Sequence, residues 1–166
     1  MPIGRPAAPS FEKAAENIKQ QAREKQSKYR EAISQTDKGI EQTQQKANAI
    51  KSAISKIKGA IGKLQAQAQQ NPQLRNHPTY QKRMTAYREQ LKRYKDALNQ
   101  VESQSEKLRM RKRQFKIALM KIAGQATKQL GMIRKRQDAQ KQQQANARQQ
   151  QGQKRTGKGE SGKVRG

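Results

Sequence analysis

From Tyr80 onward, apolar and aromatic residues recur at alternating intervals of four and three: Tyr80, Met84, Tyr87, Leu91, Tyr94, Leu98, Val101, Ser105, Leu108, Lys112, Phe115, Leu119, Ile122, Ala126, Gln129 and Ile133. Only Ser105, Lys112 and Gln129 interrupt the pattern with polar side chains. A helix turning every ~3.6 residues gathers such positions on one stripe, and a stripe kept over this many heptads is the pattern of a coiled coil. A second stripe lies upstream, at Ile33, Thr36, Ile40, Thr43, Ala47, Ile50, Ile54, Ile57, Ile61, Leu64 and Ala68. Before it, only Ala15, Ala22 and Tyr29 hold a clean line, so the beginning of the first helix is expected to pack more loosely.

Prolines punctuate the two stripes. Pro2, Pro6 and Pro9 precede Ser10, a residue suited to cap a helix N-terminus, and Pro72 and Pro78 bracket "NPQLRNHP". Pro78 suits a first helical turn, where its missing N–H is no loss. The expected organisation is a Pro-rich N-terminal arm (1–9), a first helix (10–70), a Pro-containing turn (71–79), a second helix (80–150) and a flexible, basic, Gly-rich tail (151–166).

Folding the chain back at Leu74 sets the stripes against each other layer by layer. Leu64 then meets Met84, Ile57 meets Leu91, Ile50 meets Leu98, Ile40 meets Leu108 and Ile33 meets Phe115. The polar interruptions also coincide, Thr43 with Ser105 and Thr36 with Lys112, and coincident polar layers fix register at some cost in stability. Charge supports the same direction. The acids of the first helix, Glu12, Glu16, Glu24, Glu31, Asp37 and Glu41, fall opposite a stretch of the second with no acid between Glu106 and Asp138. Asp37 comes near Arg109 and Arg111, and Glu12 near Arg136. The fold class expected is all-α: a long antiparallel two-helix coiled-coil hairpin with flexible termini.

Composition agrees with narrow stripes and no broad core. Hydrophobic residues make up 31%, there is no Cys or Trp, and the 38 Lys and Arg against 12 Asp and Glu leave a net charge of +26. Such self-repulsion calls for a polyanion or an acidic partner, with nucleic acid the first candidate. Disulfides and thiolate metal sites are excluded by the absent cysteines. No stretch approaches the ~18 apolar residues of a membrane span, and "MPIGRPAAPS" lacks the apolar region of a secretory signal. A soluble protein is expected, in the cytoplasm of the producing cell or carried into a virion; a membrane partner is not.

Several motifs bear on chemistry. Gly157, Gly162 and Lys163 match the spacing of a phosphate-binding loop, G-x-x-x-x-G-K. Val164 stands where that loop needs a hydroxyl for magnesium, and no strand pattern precedes it, so its lysines read as part of a basic arm. His77, the one histidine, has no partner for metal binding or base catalysis, and a loop or capping role fits it. Tyr80, Tyr87 and Tyr94 fall on the stripe at seven-residue spacing, which favours packing over base stacking. Lys112 is expected to reach past Thr36 to Asp37 or Glu41. No catalytic residue, cofactor, small-molecule substrate or metal is expected.

Two surfaces remain. One is basic: Lys46, Lys51, Lys56, Lys58, Lys63, Arg75, Lys82, Arg83 and Arg88 around the turn, where no acid occurs between Glu41 and Glu89, then Arg109, Arg111, Arg113, Lys116, Arg134, Lys135 and Arg136, and finally Arg148, Lys154, Arg155, Lys158, Lys163 and Arg165. Charges spread along helices without base-reading geometry suit phosphate contacts that ignore sequence. The other is apolar: Met110, Ile117, Met120 and Gly124 fall opposite the stripe, a face for a second copy or a partner protein. The expected function is that of a non-enzymatic structural protein in contact with nucleic acid, such as an internal component of a phage or virus particle. The alternative is a protein-binding rod, a stalk, scaffold or adaptor. In outline only, and through no motif, that resembles the small coiled-coil stalk proteins of bacterial export ATPases.

Overall fold

A computed structural model describes residues 10–156, with side chains through residue 154. Its elements are helix α1 (Phe11–Gln70), a short 3-10 helix (Pro72–Asn76) and helix α2 (Pro78–Thr156). The two long helices pack against each other as an antiparallel pair, and no strand occurs among the described residues.

The helix ends follow from local chemistry. Ser10 caps α1: its Oγ accepts from the Lys13 amide at 3.3 Å. At the other end the Asn71 amide donates to the Gln67 carbonyl, and Pro72 opens the 3-10 turn. His77 closes that turn by donating its amide to the Leu74 carbonyl. The same residue caps α2, since its Nδ1 accepts from the Thr79 amide at 3.2 Å. The capping role expected of His77 is thus the one it plays. Pro78 is the first residue of α2. The second helix therefore starts two residues before the expected boundary, and its C-terminal end differs as well. Residues 151–156, expected in the tail, are helical, and the helix passes through Gly152. Glycine weakens a helix by only about 1 kcal/mol, which a helix already running can absorb.

Two compact units make up the described chain, one being Tyr29–Ala118 and the other joining residues 10–28 to residues 119–156. In the first, the buried side chains are Thr36, Thr43, Ile54, Ile57, Ala68 and Met84, all on the expected stripes. Gly39 lies against Leu108 so closely that an added Cβ would stand 3.3 Å from its Cδ1. The rings of Tyr29 and Phe115 are 6.0 Å apart and tilted by 53°. Thr43, Ala47, Val101 and Ser105 line one cleft, as the fold-back at Leu74 requires. Thr43 and Ser105 meet in that cleft as expected, and the buried threonines find their hydrogen-bond partners locally. The Thr36 hydroxyl donates to the Ala32 carbonyl at 2.7 Å and that of Thr43 to the Ile40 carbonyl at 2.8 Å, so each is satisfied within its own helix. Tyr94, placed on the stripe by its spacing, is 38% exposed.

In the second unit the spacing changes. Gln129 is exposed and Leu130 takes its place, so the half-buried positions of α2 run Ile122, Ala126, Leu130, Ile133 and Gln137. On α1 the half-buried positions are Phe11, Ala14, Ala15, Ile18, Ala22 and Gln26, and the line through Phe11, Ala15, Ile18, Ala22 and Gln26 replaces a stripe expected from Ala15 and Ala22 alone. Both helices insert two successive intervals of four, a local 11-residue repeat of ~3.67 residues per turn, which relaxes left-handed supercoiling. Ile18 and Leu130 are thus packing residues that a strict heptad register leaves out. From 138 to 154 every described side chain is exposed, and that part of α2 is polar all round.

Glycines separate packing from propensity. Gly59 and Gly62 have nothing within 4 Å of an added Cβ. Gly59→Ala and Gly62→Ala should each stabilise the protein by about 0.5–1 kcal/mol. Gly39→Leu should lower the melting temperature, because Leu108 occupies the space. Thermal circular dichroism of the three variants measures all of this.

Candidate functional site

Every described member of the basic set is solvent-exposed. In the Tyr29–Ala118 unit these are Lys46, Lys51, Lys56, Lys58, Lys63, Arg75, Lys82, Arg83, Arg88, Arg109, Arg111, Arg113 and Lys116. In the other unit they are Arg134, Lys135, Arg136, Arg148 and Lys154. The side chain of Arg155, together with Lys158, Lys163 and Arg165, lies outside the described residues, as does the Gly157 to Val164 stretch and the arm at 1–9.

Acids engage this positive charge at two places among the described residues. Lys51 Nζ lies 4.0 Å from Glu102, with both side chains more than half exposed. Lys112 pairs with Asp37, from side chains 29% and 48% exposed. Lys112 thus sits on the stripe by its stem and leaves it by its ammonium, as its position predicts. Asp37 pairs with it and forms no ion pair with Arg109 or Arg111, and Glu12 forms none with Arg136. Exposed pairs of this kind contribute only roughly 0.2–1 kcal/mol each. They select the pairing of the helices more than they hold it.

The turn end of the Tyr29–Ala118 unit is where positive charge and shape coincide. A groove of ≈ 700 Å³ runs beside the turn, with Arg75 and Arg88 among its lining residues and no carboxylate among them. Ala68 and Met84, both buried, form its floor. A second groove, ≈ 490 Å³, lies between Thr43 and Ser105 and carries Lys51, Arg109 and Arg113 together with Glu102 and Glu106, so its charge is mixed. A third, ≈ 440 Å³ in the other unit, is bordered by Phe11, Ala15, Leu130 and Ile133. No described group of three or more His, Asp or Glu residues could hold a metal ion. Among the described residues no helix is long and apolar enough to cross a membrane.

The apolar positions opposite the stripe are exposed on α2. Met110 is 55% and Ile117 52% exposed in one unit, and Met120 69% in the other, where Gly124 is also open. Met132, 62% exposed, is a further apolar side chain that the spacing of the other four does not include.

No family model matches the chain, and no curated protein or solved structure shows significant similarity to it.

The seam lysine yields a test of the packing around this surface. Asp37 is half exposed and needs no partner to stay solvated, while Lys112 puts a charge on the line between the apolar Leu108 and Phe115. Lys112→Leu should therefore raise the melting temperature by about 2–4 °C, equivalent to roughly 1 kcal/mol in a chain of this size. A lower melting temperature would mean that the ion pair outweighs the apolar contact.

Proposed function

We propose that this chain is a non-enzymatic, basic helical structural protein that holds nucleic acid through phosphate contacts independent of base sequence. The observation that carries the reading is the exposed, acid-poor cation surface around the turn. From Glu41 to Glu89 no carboxylate intervenes, and of the nine cations named there Lys51 alone meets an acid, at the limit of ion-pair distance. Lysines and arginines spaced along helical faces can follow a phosphate backbone without entering a groove to read bases. The polar helix beyond Gln137, with Lys141, Arg148 and Lys154 exposed and no acid between Asp138 and the helix end at Thr156, adds a second phosphate-binding stretch. A protein of this kind suits the interior of a phage or virus particle, where packaged genome supplies counter-charge along its whole length.

A second reading rests on a different observation, the exposed Met110, Ile117 and Met120. They favour a rod that docks on a second copy or on a partner protein, as a stalk, scaffold or adaptor would. Changing all three to Gln should lower the mass seen in light scattering while helicity is retained. An unchanged mass removes self-association through this face.

For the main reading, a chain engaging about eight phosphates should lose affinity for duplex DNA with a log–log salt slope near −7, and with little preference among sequences. Replacing Lys56, Lys58, Lys63, Arg83 and Arg88 with Gln should make that slope distinctly shallower. Negligible binding at about 50 mM salt, or a slope untouched by the substitutions, would assign the charge to an acidic protein partner.

A further inference from the structure

The groove beside the turn has a chemistry that goes beyond phosphate contact. We infer that it is a binding site for one nucleotide of an unpaired strand, with the phosphate between Arg75 and Arg88 and the base against Tyr80. This deepens the nucleic-acid reading above and rests on it.

The groove combines three elements. Arg75 from the turn and Arg88 from α2 line the same cavity of ≈ 700 Å³, and no carboxylate competes there for their guanidinium groups. Two planar forks can grip one phosphate in a way that single lysine charges cannot. Arg75 is held in place through its backbone, since the Gln81 side-chain amide donates to the Arg75 carbonyl at 3.4 Å and ties the turn to α2.

Tyr80, expected from its spacing to pack, is only partly covered by that packing and supplies the second element. It is half-buried and borders the groove, so part of its side chain remains available above the floor of Ala68 and Met84. Stacking of a base on an aromatic face is independent of which base is offered, in keeping with sequence-independent binding. The third element is amide chemistry. Gln65 and Gln69 lie one helical turn apart on α1 and line the same groove. Side-chain amides both donate and accept, so they can meet the edge of any base once it is unpaired. A base held in a duplex has its pairing edge occupied and its faces stacked, and cannot enter such a site.

The test uses the full-length chain with an oligo-dT strand and a duplex of equal length, at several salt concentrations. Two variants keep the turn's charge: Tyr80→Leu, which retains an apolar side chain on the stripe, and Arg75→Lys with Arg88→Lys. Each should weaken single-strand binding about tenfold, the cost of one lost stacked base or bidentate grip; Tyr80→Leu should leave duplex binding and helicity unchanged, and the Arg→Lys pair, which keeps the charge, should lower single-strand affinity by more than duplex affinity. An oligonucleotide carrying 5-iodo-deoxyuridine should photo-crosslink to the tryptic peptide containing Tyr80. Unchanged single-strand affinity in both variants, or crosslinks confined to other peptides, would overturn the groove as a nucleotide site while the phosphate-contact reading stands. Failure of the unmodified chain to bind either strand or duplex would overturn both together.

Discussion

Two helices can shield only the stripe that each turns toward the other, and in this chain that stripe carries most of the close apolar contact. Ile54, Ile57, Ala68 and Met84 are its most buried apolar members, and Thr36 and Thr43 are buried beside them because each hydroxyl is satisfied by its own helix. A polar group taken from water without a partner would cost more than such a narrow core supplies. Everything off the stripe is released from packing. That freedom allows 38 cations on 166 residues, since charges on long exposed faces remain hydrated and screened.

The same constraint explains which expectations held. Along the Tyr29–Ala118 unit the heptad register is legible because Ile and Leu mark it on one helix and Tyr, Leu and Val on the other. Lys112 could be placed because a lysine on such a line can bury its stem and export its charge. Legibility fades where the marker residues thin out. In the other unit the stripe passes through Ala15, Ala22, Gln26 and Gln137, residues equally at home on a surface, so the change to 11-residue spacing has no strong sequence mark. Ile18 and Leu130 reveal it only when read together. Gly152 misleads in the opposite direction, since its low helix propensity suggested an end that the helix does not observe.

Of the candidate site, the charge was readable and the shape was not. Arg75 and Arg88 stand out as cations in an acid-free stretch, but nothing in their spacing announces that they share a cavity. Their meeting depends on the 3-10 turn between Pro72 and Asn76, which sets Arg75 on the side of α2 that Arg88 also faces. Gln65, Gln69 and Gln81 are hidden by their own abundance. In a chain rich in glutamine, the few that line a groove look like the many that only solvate a helix.

Charge and groove also bear on each other physically. Cations concentrated at the turn repel one another in the absence of counter-charge, and nothing in the stripe compensates for that locally except apolar contact. A polyanion that bound the folded hairpin in preference to the unfolded chain would remove the repulsion and shift the folding equilibrium by linkage. Such an effect would fall with salt as screening replaced it, so stability and any polyanion affinity would draw on the same unneutralised surface. A neutral hairpin with the same stripe would fold without that dependence. With its acid-free turn, this chain would have its helices least opposed by their own charge in a state that held a polyanion.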